Sequence, residues 1–491
     1  MPQQQQAKFL TGSIMRHIAV MSSSGAVGLM ALFTVDLADM FFISLLGQVE
    51  LAAAIGFAGT IVFFSTSVAI GTAIAMGALV SRAIGAGKRD EAKAITGSVM
   101  IFSGIVSAIT VFAILLFIDP ILSMIGAEGI TAEKAKSFLM ILLPSAPLMA
   151  MGMAGGAALR GVGDAKRSMS ATLAGGAANA VLDPIFIFGL SMGIEGAATA
   201  SMLSRFVLFG VAFHAVKYKH DLVSMPSFDD FKRHFRAISN IAVPAIVTNT
   251  ATPIGNAIVT AQIAKFGDDF VAGYAVIGRL LPVSFALIFS LSGAVGPILG
   301  QNFGAERFDR VRRTLSDSIK FVTAYCVVVA IILYLAQDLI SHAFSLDGDA
   351  SAMVSLFCTY LAITFVFNGT LFVSNAAFNN LNRPTWSTIL NVGKATVGTI
   401  PFVYVGGHIA GAEGVLIGQA VGSVIFGIAG YILVKRLIAK LATDHEEKNE
   451  DELVVEPAVP VTAFTSCREM MVEEGDDLLE DITKENKPNS H

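Results

Sequence analysis

The chain has little charge: Asp, Glu, Lys and Arg make up 14% of its 491 residues, while 54% are hydrophobic and mean hydropathy is +0.69. A soluble domain carries about 25% charged residues, so water is not the principal solvent of this sequence. Cysteine is also scarce. Cys326 and Cys358 lie in apolar segments and Cys467 near the end, which makes neither a disulfide framework nor a metal-ligand pattern; they read as small buried hydrophobes. No two of the eight histidines stand at a metal-binding helical spacing. Residues 85–87 are glycine-rich but lack the lysine pattern of a phosphate loop, and a tight turn accounts for them. No nucleophile, base and metal set shares one depth, so an enzyme is not expected; no cofactor is called for and no nucleic-acid partner is indicated. No cleavable leader is expected either, because the first apolar stretch is too long and runs straight into the first hairpin.

What the chain does have is long apolar runs, each of about 20 residues or more, enough to cross a hydrocarbon core about 30 Å thick. They fall near 14–46, 51–81, 95–118, 135–159, 168–190 and 193–216, and then near 237–264, 271–300, 314–341, 351–380, 386–406 and 412–438. The expected fold is an all-α integral membrane protein of about twelve transmembrane helices in two homologous six-helix bundles. Its domains are an N-terminal tail (1–13), a first bundle (14–216), a linker (217–236), a second bundle (237–441) and an acidic tail (442–491). The tail holds 15 acids against 4 bases, which accounts for the net charge of -5, and with no helix-length apolar run it reads as disordered.

The connections alternate in charge. Even-numbered ones carry Arg82, Lys88, Arg89 and Lys93, then Arg160, Lys166 and Arg167, then five bases between Lys217 and Arg236, then Arg307, Arg310, Arg312 and Arg313, and finally Arg383. Odd-numbered ones carry mostly acids, among them Asp119, Glu128, Glu195, Asp268 and Glu413. The excess of Lys and Arg on cytoplasmic loops predicts that both termini are cytoplasmic in a multi-pass protein of the cell (inner or plasma) membrane.

An internal repeat supports the division into halves. GALVSRAIGAGKRDEA from Gly77 corresponds to GPILGQNFGAERFDRV from Gly296, 219 residues later, and GAALRGVGDAKRSM from Gly156 meets NAAFNNLNRPTWST from Asn375 at the same offset. Six helices per repeat keep both copies in one orientation, related by an axis along the membrane normal, and the interface of such repeats is where transporters place their sites.

An acid inside a spanning helix costs about 2.5 to 3.5 kcal/mol on insertion scales, so each one needs a reason. Asp36 and Asp39 share a face of span 1, and Asp183 of span 5 has Asn179 four residues earlier on its own face. Asp39, Asp183 and Ser201 each lie about 10 to 12 Å from the outer end of their spans. A pair formed by Asp39 and Asp183 in an apolar bundle would hold a proton at neutral pH, or bind a sodium ion through its oxygens. Asp36 would brace Asp39. Pro184 gives no N–H to the carbonyl of Ala180 and should kink the helix beside Asp183. Pro144, Pro147, Pro244, Pro253, Pro282, Pro297 and Pro401 should bend other spans.

The second half lacks this site: the repeat puts Ile258 or Val259 opposite Asp39 and Phe402 opposite Asp183. It offers instead Arg279 and Lys394, deep in their spans, with Asn249, Asn256, Asn368 and Asn375. A substrate cavity would draw on Arg279, Asn256 and Lys394, with Met149 and Met153 as adaptable apolar lining.

At these residues the sequence resembles the multidrug and toxic compound extrusion (MATE) transporters, over about residues 10–440. LADMFFISLLGQVELAA looks like that family's helix 1 signature, with Asp39 at the position of its functional aspartate. ALRGVGDAKRSM, NAVLDPIFIFGL and GQNFGAERFDR match further blocks, and NAVLDPIFIFG looks like the branch related to the DNA-damage-inducible F transporters. The resemblance implies a proton-linked network on Asp39, Asn179 and Asp183, with Ser201 where a threonine is common. It implies antiport: export of amphipathic, often cationic drugs or dyes, driven by inward movement of protons or sodium. The other expected partners are membrane lipids, and the unit is a monomer. Thr252 stands where sodium-coupled relatives can have a glutamate, and residues 22–25 lack the proline often seen early in helix 1. A flippase for lipid-linked precursors is the rival reading, with Arg279 and Lys394 on an anionic headgroup.

Overall fold

A backbone surrounded by lipid must satisfy its own N–H and C=O groups, which a helix does within one segment. The computed structural model, which describes residues 7–46 and 49–455, follows this rule throughout and has no strand among those residues. The first half contributes α1 (Ile14–Ser44), α2 (Val49–Gly85), α3 (Arg89–Leu116), the short α4 (Ile118–Met124), α5 (Gly129–Leu142), α6 (Ala146–Gly161), α7 (Ala165–Pro184) and α8 (Gly193–His214). The second contributes α9 (Phe228–Ile263), α10 (Asp268–Ser284), α11 (Ala286–Gly304), α12 (Phe308–Ala343), α13 (Gly348–Leu356), α14 (Phe365–Asn380), α15 (Pro384–Ala395) and α16 (Ile400–Val455).

Sixteen helices make twelve spans because several spans are broken. A 3-10 turn containing Pro144 separates α5 from α6, Phe285 interrupts α10 and α11, and a π turn plus a 3-10 turn joins α13 to α14. Within α16, Ala410 and Gly411 leave helical geometry, Gly411 at φ 58°, where glycine carries no Cβ penalty. That turn ends span 11 and starts span 12. Ten segments of the described residues are long and apolar enough to cross a membrane. The turn at Gly411 divides the last of them in two, and α9, made more polar by residues such as Asn249 and Asn256, is the twelfth span. Pro244 and Pro253 lie inside α9 and Pro297 inside α11 without ending them.

Two boundaries differ from the sequence expectation. The linker becomes helical at Phe228, because Ser227 Oγ accepts from the Asp230 N–H at 3.1 Å and donates to its carboxylate at 2.7 Å, a local cap that hydropathy does not register. The C-terminal unit from Ala439 is helical as far as Val455, past the expected start of the disordered tail at 442; residues 456–491 lie outside the described residues.

The helix neighbours obey the repeat. Within the bundles α1 packs on α7 as α9 packs on α15, and α2 on α6 as α11 on α14. Between them α1 lies on α11 as α9 lies on α2, and α2 meets α11 directly. Lipid gives helices little hydrophobic reason to associate, so close approach of small residues takes over. At the end that carries the basic connections, a Cβ on Gly85 would sit 2.0 Å from the Gln301 carbonyl oxygen, and one on its repeat mate Gly304 would sit 2.1 Å from that of Arg82. Arg82 and Gln301 are themselves repeat mates. The repeat mates Gly59 of α2 and Gly278 of α10 have no described atom within 4 Å of such a Cβ.

Polar contacts close the basic end. Ser81 Oγ donates to Asn380 Oδ1 at 3.3 Å, Arg82 donates to Asn382, and Gln301 Nε2 donates to the Gly161 carbonyl at 2.7 Å. The segment before α1 bridges both halves there. Phe9 is 1% exposed; its N–H donates to Gln301 Oε1 at 2.9 Å, its carbonyl accepts from Arg310 at 2.9 Å, and Lys8 Nζ donates to the Gly163 carbonyl at 2.8 Å.

Candidate functional site

Small residues bring α1 and α7 together. A Cβ on Gly28 would make ordinary contact with Thr172, and one on Gly176 would lie 3.4 Å from Val35. This approach sets Asp39 of α1 beside the face of α7 that carries Asn179 and, one turn later, Asp183. The two N–H groups of a single amide serve both acids: Asn179 Nδ2 donates to Asp39 Oδ1 at 3.1 Å and to Asp183 Oδ2 at 2.6 Å. Asp183 is fully buried and Asn179 is 5% exposed. The shared amide thus holds two carboxyl groups around one small group, and Asp183 Oδ1 is buried without a hydrogen-bond partner. Repulsion within such a pair is relieved when one carboxyl takes up a proton or a cation lies between them.

The structure therefore joins three of the residues expected from sequence. Ser201, half-buried on α8, makes no hydrogen bond to them among the described residues; its carbonyl accepts from Ser204 Oγ at 2.8 Å. The side chain of Asp36 lies outside the described residues, as does that of Thr252. Pro184 closes α7, and a π turn, Ile185–Gly189, follows it, so the helix changes pitch one residue after Asp183. Opposite the acids in the repeat, Val259 is fully buried and apolar.

In the second bundle Lys394 Nζ donates to Asn368 Oδ1, and no described carboxylate forms an ion pair with it. Asn391 Nδ2 donates to Asn375 Oδ1 at 2.9 Å and to the Ser387 carbonyl at 2.7 Å. The other expected cavity residues are not gathered here by any hydrogen bond: Arg279 and Asn256 are exposed on α10 and α9, and Met149 is half-buried on α6. Met153 packs against the buried cluster around Met76, Val99 and Leu159, as ordinary core. Sequence reasoning passed over Arg205, which lies mid-span on α8. It donates to the Leu142 carbonyl and to Ser145 Oγ, both at 3.2 Å, joining Ser145 Oγ, which donates to the same carbonyl at 2.6 Å beside the Pro144 break. An arginine twelve residues into an apolar run was the available signal.

A multi-pass protein of two repeated bundles, with a carboxylate pair enclosed in one of them, has the build of a membrane transporter. The MatE family model matches residues 26–185 and 244–405, two stretches that begin 218 residues apart. The chain belongs to that family, whose members are transporters and not enzymes. It is 28% identical to a protein of Shewanella oneidensis named FAD transporter, over 87% of this chain and 96% of the relative. It is 23% identical to the multidrug export protein MepA of Staphylococcus aureus, over 83% and 91%. A mutant of the Vibrio cholerae MATE transporter VcmN shares the fold with a TM-score of 0.83 at 24% identity, covering 88% of this chain and 98% of that one.

Proposed function

We propose that the chain is a secondary active exporter of small amphipathic molecules that works by antiport, exposing its sites alternately to the two sides of the membrane. The observation that carries this reading is the buried junction of Asp39, Asn179 and Asp183, a place where a charge can be taken up and given back. The amide of Asn179 turns its N–H groups to both acids. That arrangement complements carboxylate oxygens and not a metal ion, which favours a proton over sodium as the coupling ion. Asp39 and Asp183 are the residues that exchange it, Asn179 holds them in register, and the π turn after Pro184 supplies a bend that can follow their change of charge. Contacts at the basic end suit a state closed to the cytoplasm, with the basic connections and both termini on the cytoplasmic side of the plasma membrane and one chain as the working unit.

The expectation of a cationic cargo came from the family resemblance. Asp39 and Asp183 are tied to Asn179; with these acids serving the coupling ion, the charge of the cargo is set elsewhere. Efflux of a fluorescent dye from vesicles, driven by separately imposed proton and sodium gradients, tests the reading. A proton gradient alone should drive it, and efflux indifferent to both gradients would defeat the proposal. Tags in the 217–236 linker and after Leu441 should report cytoplasm while one near Glu128 reports the outside; the opposite pattern would reverse the orientation, and a mixed one would break the six-plus-six division.

A further inference from the structure

The second bundle contains a set of polar groups for which the acidic site has no use. Ser387, Asn391 and Lys394 follow one face of α15, while Asn368 and Asn375 lie seven residues apart on one face of α14, which packs against it. The Oδ1 atoms of Asn368 and Asn375 are both occupied, the first by the Lys394 ammonium and the second by Asn391. These bonds fix which side of each amide faces the seam. Among the described residues no acceptor takes the Nδ2 of either amide, and one hydrogen bond leaves the ammonium two further donors.

Neutralisation is lacking as well. Beyond Asp230, α9 has no Asp or Glu, α14 and α15 have none, and α16, which packs on both through Phe426 and Gly427, has none between Glu413 and Asp444. Lys394 lies ten residues into its span from Pro384, about 15 Å along the helix. The residue is half-buried, and at that depth its ammonium lies away from either interface. A lysine at this depth normally pairs with an acid or marks a pathway. With its partner amide already giving an oxygen and two amide donors unspent, the seam holds more unspent donors than acceptors, the Asn391 oxygen being one acceptor left, and it is positively charged.

We propose that this seam is a binding site for an oxyanion carried on an apolar or aromatic body, a phosphate ester above all. Lys394 supplies the charge, and the Nδ2 groups of Asn368 and Asn375 supply two further donors, enough to engage separate oxygens of one tetrahedral group. The site rests on the transporter reading and names its cargo class: the second bundle receives an amphipathic anion while the first handles the coupling ion. The phosphate can belong to a soluble nucleotide-like molecule or to a lipid headgroup.

Equilibrium binding to the purified full-length protein in nanodiscs tests this without any gradient, so a failure of proton coupling leaves the result readable. The probes are FAD, as a soluble aromatic phosphate anhydride, and ethidium, as an aromatic cation of the opposite sign, each followed by fluorescence in neutral lipid and in lipid containing phosphatidylglycerol. FAD should bind in neutral lipid, Lys394→Gln should weaken it by about 10-fold or more, as for the loss of one charge-assisted contact, and Lys394→Arg should recover most of the loss. Competition by phosphatidylglycerol that disappears in Lys394→Gln would assign the same site to a headgroup. Ethidium binding without FAD binding or lipid competition would overturn the proposal. So would FAD binding that Lys394→Gln leaves unchanged while size-exclusion chromatography shows the variant folded.

Discussion

Helix α7 of the first bundle and α15 of the second hold the same place in the repeat, and each packs against the first helix of its own bundle. Yet α7 carries Asn179 and Asp183, whereas α15 carries Asn391 and Lys394. The backbone scaffold has been kept in duplicate while the charge inside it has changed sign. The difference teaches that the repeat serves the mechanics and the side chains divide the labour. Symmetric neighbours such as Gly85 and Gly304 matter to both halves alike, but an intramembrane charge matters only where its partners are. Asp183 has an amide and a second acid; Phe402, its repeat mate, has neither.

The largest expected effect breaks this comparison on its acidic side. Asp39→Asn and Asp183→Asn should each insert normally and reduce gradient-driven efflux to background, since an amide keeps the shape and cannot exchange a proton. Near-normal efflux in both would remove the coupling site from the first bundle. The shared mechanics come next. Gly85→Ala or Gly304→Ala places a methyl group about 2 Å from a carbonyl oxygen of the other half, so a single cysteine introduced at the basic end should react several-fold faster with a membrane-impermeant maleimide applied from that side. Gly59→Ala and Gly278→Ala meet open space and should change it little. Equal responses from all four variants would show that the seal does not lie where these helices cross.

The smallest effect is local. Asp164 caps α7, accepting from the Arg167 N–H at 3.1 Å, while its repeat mate Arg383 gives α15 no side-chain cap. Asp164→Ala should cost about 1 kcal/mol, and Arg383→Ala next to nothing, in thermal unfolding of the detergent-solubilised protein. Burial pushes the Asp164 carboxyl up, but hydrogen bonds from His220 and Arg167 outweigh it and hold the group below its ordinary value of 3.8. A depressed carboxylate stabilises the fold above the unfolded value and loses that contribution as pH falls through the folded one. The gap between wild type and Asp164→Ala should therefore be constant near neutrality and narrow below about pH 4.

Most of the scaffold was legible in the sequence because lipid leaves so few backbone solutions. Apolar length marked the spans, and the correspondence of GALVSRAIGAGKRDEA with GPILGQNFGAERFDRV located the repeat that the helix neighbours follow. The acidic site was legible for the same reason: Asp39 and Asp183 are costly where they stand, and Asn179 lies one turn from Asp183. What escaped was decided by local hydrogen bonding, which hydropathy does not weigh. The Ser227 cap starts α9 nine residues early, and at the Pro144 break Ser145 Oγ and Arg205 both donate to the Leu142 carbonyl. Lys394 was visible as a buried charge, but the orientation of the Asn368 and Asn375 amides, which gives the seam its donor character, exists only once α14 and α15 are packed.

Protons released on cargo binding test the division of labour most directly, because antiport requires cargo and proton to oppose each other's binding. The measurement uses purified protein in weakly buffered solution near neutral pH, with FAD added to saturation and the pH change recorded. Wild type should release about one proton per chain, Lys394→Gln the same once a higher FAD concentration saturates it, and Asp183→Asn none although that variant still binds FAD. Undiminished release from Asp183→Asn, or its loss in saturated Lys394→Gln, would contradict the assignment of coupling to the first bundle and cargo to the second.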